Sequence, residues 1–161
     1  MGTMIKVGMA DMNLCLPPDA ITTLGLGSCV GAVIYDPIKK ISGMVHVMLP
    51  DSKAIKNNDN IAKFADTGIT ELVQRMVRIG ATRTALVAKI AGGAQMFAFN
   101  TNSEMLQVGS RNVKAVKDML SAMRIRLIAE DTGLNYGRTI EFYPETGDLL
   151  IKAVGKPQKT I

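Results

Sequence analysis

Thr22-Thr23-Leu24-Gly25-Leu26-Gly27-Ser28-Cys29-Val30-Gly31-Ala32-Val33-Ile34-Tyr35-Asp36 sets a cysteine directly behind a turn rich in glycine and hydroxyls. An apolar run follows. The chain then turns at Asp36-Pro37-Ile38-Lys39-Lys40 and returns through Ile41-Ser42-Gly43-Met44-Val45-His46-Val47-Met48-Leu49, which holds its one histidine. Two β-rich runs around a short turn predict an antiparallel hairpin. With Pro37 and Ile38 at the tip, Cys29 falls opposite His46, and opposed side chains lie about 4.5–5.5 Å apart at Cβ. A one-residue bulge makes the pair diagonal and leaves it within reach of a ring.

Both faces of this hairpin are apolar. Val33 and Tyr35 lie on one, Val30, Ala32 and Ile34 on the other, the pattern of a strand covered on both sides. Upstream, Ile5–Ala10 and Leu14-Cys15-Leu16 read as short strands, the second ended by Pro17-Pro18. Ile21–Leu24 leads into the glycine turn. Downstream, Pro50–Asn60 is a polar loop in which Asp59 or Asn60 can cap a helix. Ile61, Phe64, Ala65, Ile69, Leu72, Val73 and Met76 recur at helical spacing, with Gly80 as C-cap. Thr84–Ile90 reads as a strand broken by Gly92-Gly93, and residues 94–109 as loop. Val113, Val116, Met119, Leu120 and Met123 share a second helical face. Ile125–Ala129 reads as a strand and Asp131–Arg138 as a turn-rich loop. Thr139–Tyr143 and Leu149–Val154 flank the turn Pro144–Asp148. Strands outnumber helices and mostly join by hairpins, which predicts an α+β fold with β-sheet layers backed by helices.

The 161 residues suit one domain, residues 1–161, with 153–161 as a flexible tail. The apolar share is 47% and aromatics only 4%, so the core must be aliphatic and rich in the eleven methionines. No run approaches the roughly 20 apolar residues that span a bilayer. The first residues lack a basic region followed by an apolar one, so no signal peptide is expected. Two cysteines do not make a disulfide framework, and a reducing cytoplasm is the expected location. The net charge of +5 is scattered, without the clustered basic face and stacking aromatics of a nucleic-acid binder. It reads as a solvated surface suited to an acidic protein partner.

The chemistry has two readings. Cys29 is either a small inert core residue or a nucleophile. For the second, Gly25 and Gly27 let backbone come close to a bound carbonyl and offer N–H groups to an oxyanion, each worth about 2.7–4 kcal/mol. A charged His46 would lower the thiol pKa, and Thr22, Thr23 and Ser28 are candidates to orient the imidazole. His46 is either a satisfied core histidine or the only side chain ordinarily titrating near neutrality. Cys15, between Leu14 and Leu16, reads as structural. One His and two Cys without CxxC spacing make no zinc site. Gly25-Leu26-Gly27-Ser28-Cys29-Val30-Gly31 fails as a dinucleotide fingerprint: its third glycine is one place late and precedes a β-branched run. Asp131-Thr132-Gly133 has no second triplet to make an aspartic-protease pair.

Thr23-Leu24-Gly25-Leu26-Gly27-Ser28-Cys29-Val30, His46-Val47-Met48-Leu49-Pro50-Asp51-Ser52, Lys89-Ile90-Ala91-Gly92-Gly93-Ala94, Gly109-Ser110-Arg111-Asn112 and Glu130-Asp131-Thr132-Gly133 together resemble the bacterial chemoreceptor glutamine deamidase family, CheD. The resemblance runs from about residue 5 to about 154, with departures in the Met-rich start, in residues 53–58 and at Asn135-Tyr136. It implies a layered β-sandwich with flanking helices, a cysteine-hydrolase fold similar to bacterial toxin deamidases. It implies Cys29 as nucleophile, His46 as general base and acid, and Thr23 as the group orienting His46, with Gly27 and Ser28 placing the oxyanion and substrate. The implied substrates are glutamine side chains on methyl-accepting chemotaxis receptors, with glutamate methyl esters a second possibility and a CheC-type phosphatase as partner. No metal, cofactor, nucleic acid or membrane insertion is implied. The competing expectation is a non-catalytic module that regulates such a phosphatase or a receptor.

Overall fold

The computed structural model describes residues 2–96 and 107–161. Among these, the chain forms β1 (Met4–Val7), β2 (Met12–Cys15), β3 (Ala20–Leu26), β4 (Val30–Asp36), β5 (Ile41–Val47), α1 (Ala65–Arg78), β6 (Val87–Gly92), α2 (Val108–Ala122), β7 (Arg126–Thr132), β8 (Arg138–Tyr143), β9 (Asp148–Lys152) and β10 (Lys159–Thr160). One sheet runs β1-β3-β8-β9-β10, the other β2-β5-β4-β6-β7. This is a mixed α/β architecture of two sheets and two helices.

Alternation along β4 and β5 decides the layers. Val33 and Tyr35 join Ile21, Leu26, Ile140, Phe142, Leu149 and Ile151 in a core between the sheets. The Tyr35 and Phe142 rings meet across it at 4.9 Å. Val30, Ala32, Ile34, Val45 and Val47 face the other way, onto Ile69, Leu72 and Met76 of α1 and Val116 and Leu120 of α2. Both helices therefore cover the outer face of the second sheet, which explains why β4 and β5 are buried along their whole length.

Several elements differ from the sequence expectation. The helix expected from Ile61 begins at Ala65, because Met48 and Leu49 N–H both donate to Lys63 O and Ala65 N–H to Leu49 O, pinning the chain to the end of β5. Asn60 caps only a 3-10 turn, Ile61–Lys63. The strand expected from Thr84 starts at Val87, after the 3-10 turn Arg83–Ala85. β7 carries on through Asp131 because Ala91 and Gly92 pair with Asp131 and Thr132. Of the loop expected over 94–109, residues 97–106 lie outside the described residues. At the C-terminal end, expected as a flexible tail over 153–161, Lys159 and Thr160 pair with Ile151 and Leu150. The buried Lys89 ammonium donates to Ile161 O at 2.8 Å and Gly147 O at 2.6 Å, fastening that strand.

Candidate active site

The hairpin closes with a different register from the one the sequence suggested. Asp36 pairs with Ile41, so residues 37–40 form the loop. Asp36 Oδ1 accepts from Ile38 and Lys39 N–H, both at 3.0 Å, and Lys40 N–H donates to Asp36 O at 2.8 Å. The tip is thus longer than Pro37-Ile38, and His46 lies opposite Gly31 rather than Cys29. A shift of two residues preserves the face, since side chains alternate with period two. Cys29, one residue before the ladder begins, thus stays on the face turned to the other sheet, on the diagonal from His46. Such diagonals are about 7–8 Å apart between residue centres and lie within reach of long side chains.

Gly31 is what lets the second sheet approach at this point. A Cβ there would come 2.7 Å from Ile140 Cδ1, 3.1 Å from Leu26 Cδ1 and 3.5 Å from Thr23 Cγ2. Thr23 and Leu26 both point inward, though three residues apart, because the β3–β8 register shifts between them and Gly25 takes φ +68°. That bulge flips the alternation once. Thr23 keeps the inward face of Ile21, two residues earlier in the same register, and its Oγ1 crosses between the sheets to lie 2.7 Å from His46 Nδ1.

The hydrogen bonds assign the tautomer. Thr23 Oγ1 donates its single proton to Val7 O at 2.8 Å. It therefore accepts from His46, so Nδ1 carries the ring proton. Nε2 is left as a bare lone pair, buried and without a hydrogen-bond partner among the described residues. Burial pushes the His46 pKa down from 6.5 and the Cys29 thiol up from 9.0. Burial thus works against both charged forms, thiolate and imidazolium, and so against the ion pair that a charged His46 would make. His46 is fully buried, whereas Cys29 keeps 9% of its surface exposed, so access to the pair runs past the sulfur.

The other sequence candidates are placed as follows. Thr22 Oγ1 donates to Ile140 O within its own sheet and does not meet His46. Gly27 N–H donates to Gly25 O at 3.0 Å, which occupies the donor expected for an oxyanion in this conformation. Ser28 stands next to the sulfur, with its carbonyl held by Asn112 Nδ2 at 3.0 Å. Cys15 is buried with its thiol pushed up to about 11, mainly by burial, and Ser42 Oγ donates to its carbonyl. Asp51 and Ser52 have structural work: Asp51 caps the 3-10 turn Ser52–Ala54, and Ser52 N–H and Oγ bond the Asp66 carboxylate at the start of α1. Among the described residues, no group of three or more His, Cys, Asp or Glu is placed to hold a metal ion.

Sequence reasoning missed the supports. Gly92 takes φ +107°, and a Cβ there would sit 2.3 Å from Cys29 O; the next N–H, of Gly93, donates to that same oxygen at 2.8 Å. Asn112 Nδ2 also reaches Met48 O, at 2.9 Å. Both positions stand in blocks quoted above, but only as part of a resemblance. The Val7 carbonyl carries no sequence signal at all.

Among the described residues, no helix is long and apolar enough to cross a membrane. Residues 48–153 match the family model described as CheD chemotactic sensory transduction. That stretch begins beyond His46, whereas similar full-length proteins span the whole site. One from Lachnoclostridium phytofermentans, named probable chemoreceptor glutamine deamidase CheD, is 74% identical over 161 residues and covers 100% of both chains. One from Halalkalibacterium halodurans, named chemoreceptor glutamine deamidase CheD, is 52% identical over 162 residues, again covering 100% of each. Among solved structures, the Bacillus licheniformis hypothetical protein YfiH aligns at TM-score 0.45 and 15% identity, covering 72% of this chain and 47% of that one. That likeness is too remote to bear on function.

Proposed function

This chain belongs to the CheD chemotactic sensory transduction family, and on that premise we propose that it hydrolyses glutamine side chains of methyl-accepting chemotaxis receptors to glutamate. Cys29 is the nucleophile, His46 the base and then the acid, and Thr23 the group that orients His46. The names of its relatives support the substrate class. The observation that carries the chemistry is the Thr23–His46 contact at 2.7 Å, which leaves Nε2 bare on the face that Cys29 shares.

The steps follow from that arrangement. Nε2 takes the thiol proton as Sγ bonds to the carboxamide carbon, and the carbonyl π pair moves to oxygen. Backbone N–H groups around Ser28 and Cys29 receive the oxyanion. As the tetrahedral species collapses, the C–N bond breaks, and the imidazolium returns its proton to the departing ammonia, leaving a thioester. A water then gives a proton to Nε2 and attacks the same carbon. The C–S bond breaks, Cys29 is reprotonated, and glutamate leaves. The same steps would cleave a glutamate methyl ester with methanol as the leaving group. A CheC-type phosphatase remains the proposed protein partner, and the fold is read as the cysteine-hydrolase type, which a sulfur–imidazole–hydroxyl set between two sheets supports.

The test is incubation with a purified receptor cytoplasmic fragment, followed by peptide mass spectrometry. Amide-to-acid conversion should occur with the wild-type chain and vanish with Cys29→Ala. Undiminished conversion by that variant would reject the site. No conversion by the wild-type chain on any cognate receptor would favour the non-catalytic module.

A further inference from the structure

The β4–β5 ladder ends at the pair Val30–Val47, one residue after Cys29 and one after His46. Beyond it the two strands part. On one side Cys29 O accepts from Gly93 N–H and Gly27 O from Ala94 N–H, both at 2.8 Å. On the other, Met48 and Leu49 N–H turn to Lys63 O at 2.8 and 3.0 Å. Asn112 of α2 enters this fork, 0% exposed, and its amide donates one proton to Ser28 O at 3.0 Å and the other to Met48 O at 2.9 Å. The amide orientation follows from these acceptors: flipped, it would set an oxygen against two carbonyl oxygens.

The helix is brought there by glycine. A Cβ on Gly109 would lie 2.3 Å from Ala94 O and 2.6 Å from Gly93 O, so its absence lets the first turn of α2 rest on the Gly93-Ala94 backbone. Asn112 is three residues on, on the same face of the helix. Its Oδ1 has no hydrogen-bond partner among the described residues. An amide that leaves a buried acceptor unpaired is a poor choice for stability alone, where an apolar side chain would carry no such cost.

We propose that Asn112 is a positioning residue for the reaction, holding the backbone before Cys29 and the backbone after His46 at the separation from which Nε2 takes the thiol proton. Two donors on a short side chain are what the fork requires. A serine offers one, an aspartate presents oxygens to both carbonyls, and a glutamine is a methylene too long. The inference rests on the nucleophile–base reading above, whose own failure would show as undiminished Cys29 alkylation in His46→Ala.

The experiment is iodoacetamide alkylation at neutral pH, with Cys29 and Cys15 resolved by peptide mass spectrometry. His46→Ala and Asn112→Ala should each slow alkylation of Cys29 by about tenfold or more. The double variant should fall less than about twofold below His46→Ala, because with the base gone its placement no longer matters. A merely structural role would give losses that multiply. A folded Asn112→Ala alkylated at the wild-type rate, or multiplying losses in the double variant, would overturn the proposal. Should Asn112→Ala not fold, the wild-type chain carrying 15N-asparagine decides: both Asn112 side-chain amide protons should be protected from solvent exchange, and rapid exchange would overturn the clip.

Discussion

Thr23 spends its one hydroxyl proton on Val7 O and thereby compels His46 to donate from Nδ1. Thr23→Val keeps the volume and removes the acceptor. The ring then loses its tautomer preference and its orientation, and kcat should fall by about 10–100-fold, or about 1.4–2.7 kcal/mol of barrier. Thr23→Ser keeps the oxygen and should retain most activity. Equal losses in the two variants, measured on a receptor fragment, would show that the methyl and not the hydroxyl matters. The pH profile follows from burial of the same ring. The base must be neutral, and its pKa lies below 6.5. The acid limb of kcat/KM should therefore have its midpoint below 6.5, with activity level from there up through neutrality. A midpoint at or above 6.5 would contradict the buried imidazole. The sequence pointed to Cys29, His46 and a nearby hydroxyl by residue type alone. It left three hydroxyls open, because which of them faces the ring depends on which face of β3 packs against the other sheet, and neighbouring residues do not reveal that.

At the scale of elements, the β4–β5 hairpin and the Gly92-Gly93 turn hold the sulfur. Gly92→Ala would force a methyl to within 2.3 Å of Cys29 O at a φ of +107°, where L side chains are strained. The expected cost is about 1–3 kcal/mol of stability from the backbone strain alone, with activity falling further than stability because the displaced atom belongs to Cys29. Thermal unfolding and kcat on the same preparation check this; unchanged values in both would refute the packing. The hairpin tip depends on Asp36, which is fully buried. Burial works to raise its pKa, but the N–H groups of Thr82, Lys39 and Ile38 outweigh it and hold the carboxyl below the usual range. Asp36→Ala removes bonds to a charged acceptor, each worth about 1.5–3 kcal/mol, and urea denaturation should show a loss of at least that size. The hairpin itself was legible from β-branched runs around a polar turn. Its register was not, because the Asp36 side chain lengthens the tip.

For the whole molecule, the Arg138–Asp131 pair joins the two sheets near the candidate site. Arg138 Nε meets Asp131 Oδ2 at 3.0 Å with no part of the arginine side chain exposed, and Lys159 Nζ meets Oδ1 at 2.7 Å. Burial raises the Asp131 pKa, but the hydrogen bonds and charges of Lys159 and Arg138 lower it more. Arg138→Met leaves Lys159 as the remaining cation on Asp131 and removes a charged hydrogen bond worth about 1.5–3 kcal/mol, a loss that urea denaturation should show. No loss would show that the pair does not hold the sheets. Carboxyls with depressed folded pKa values, Asp36, Asp66 and Asp131, contribute stability above the ordinary 3.8 that is lost as pH falls through that range. His46 acts earlier and in the same direction: below 6.5 the unfolded chain takes up a proton that the folded chain resists.

By itself the sequence determined the kinds of elements, because periods of two and 3.6 are local properties, and it determined that any sulfur–imidazole chemistry must involve one histidine. It also placed both faces of the central hairpin in the interior. Which residues meet was decided only by the tertiary structure. Thr23 reaches His46 because Gly31 lets two sheets close on each other, and Asn112 reaches the Ser28 carbonyl before Cys29 because Gly93 and Gly109 let a helix lie on a strand end. Contacts across layers depend on separations of tens of residues and on atoms that are absent, and no local pattern encodes either.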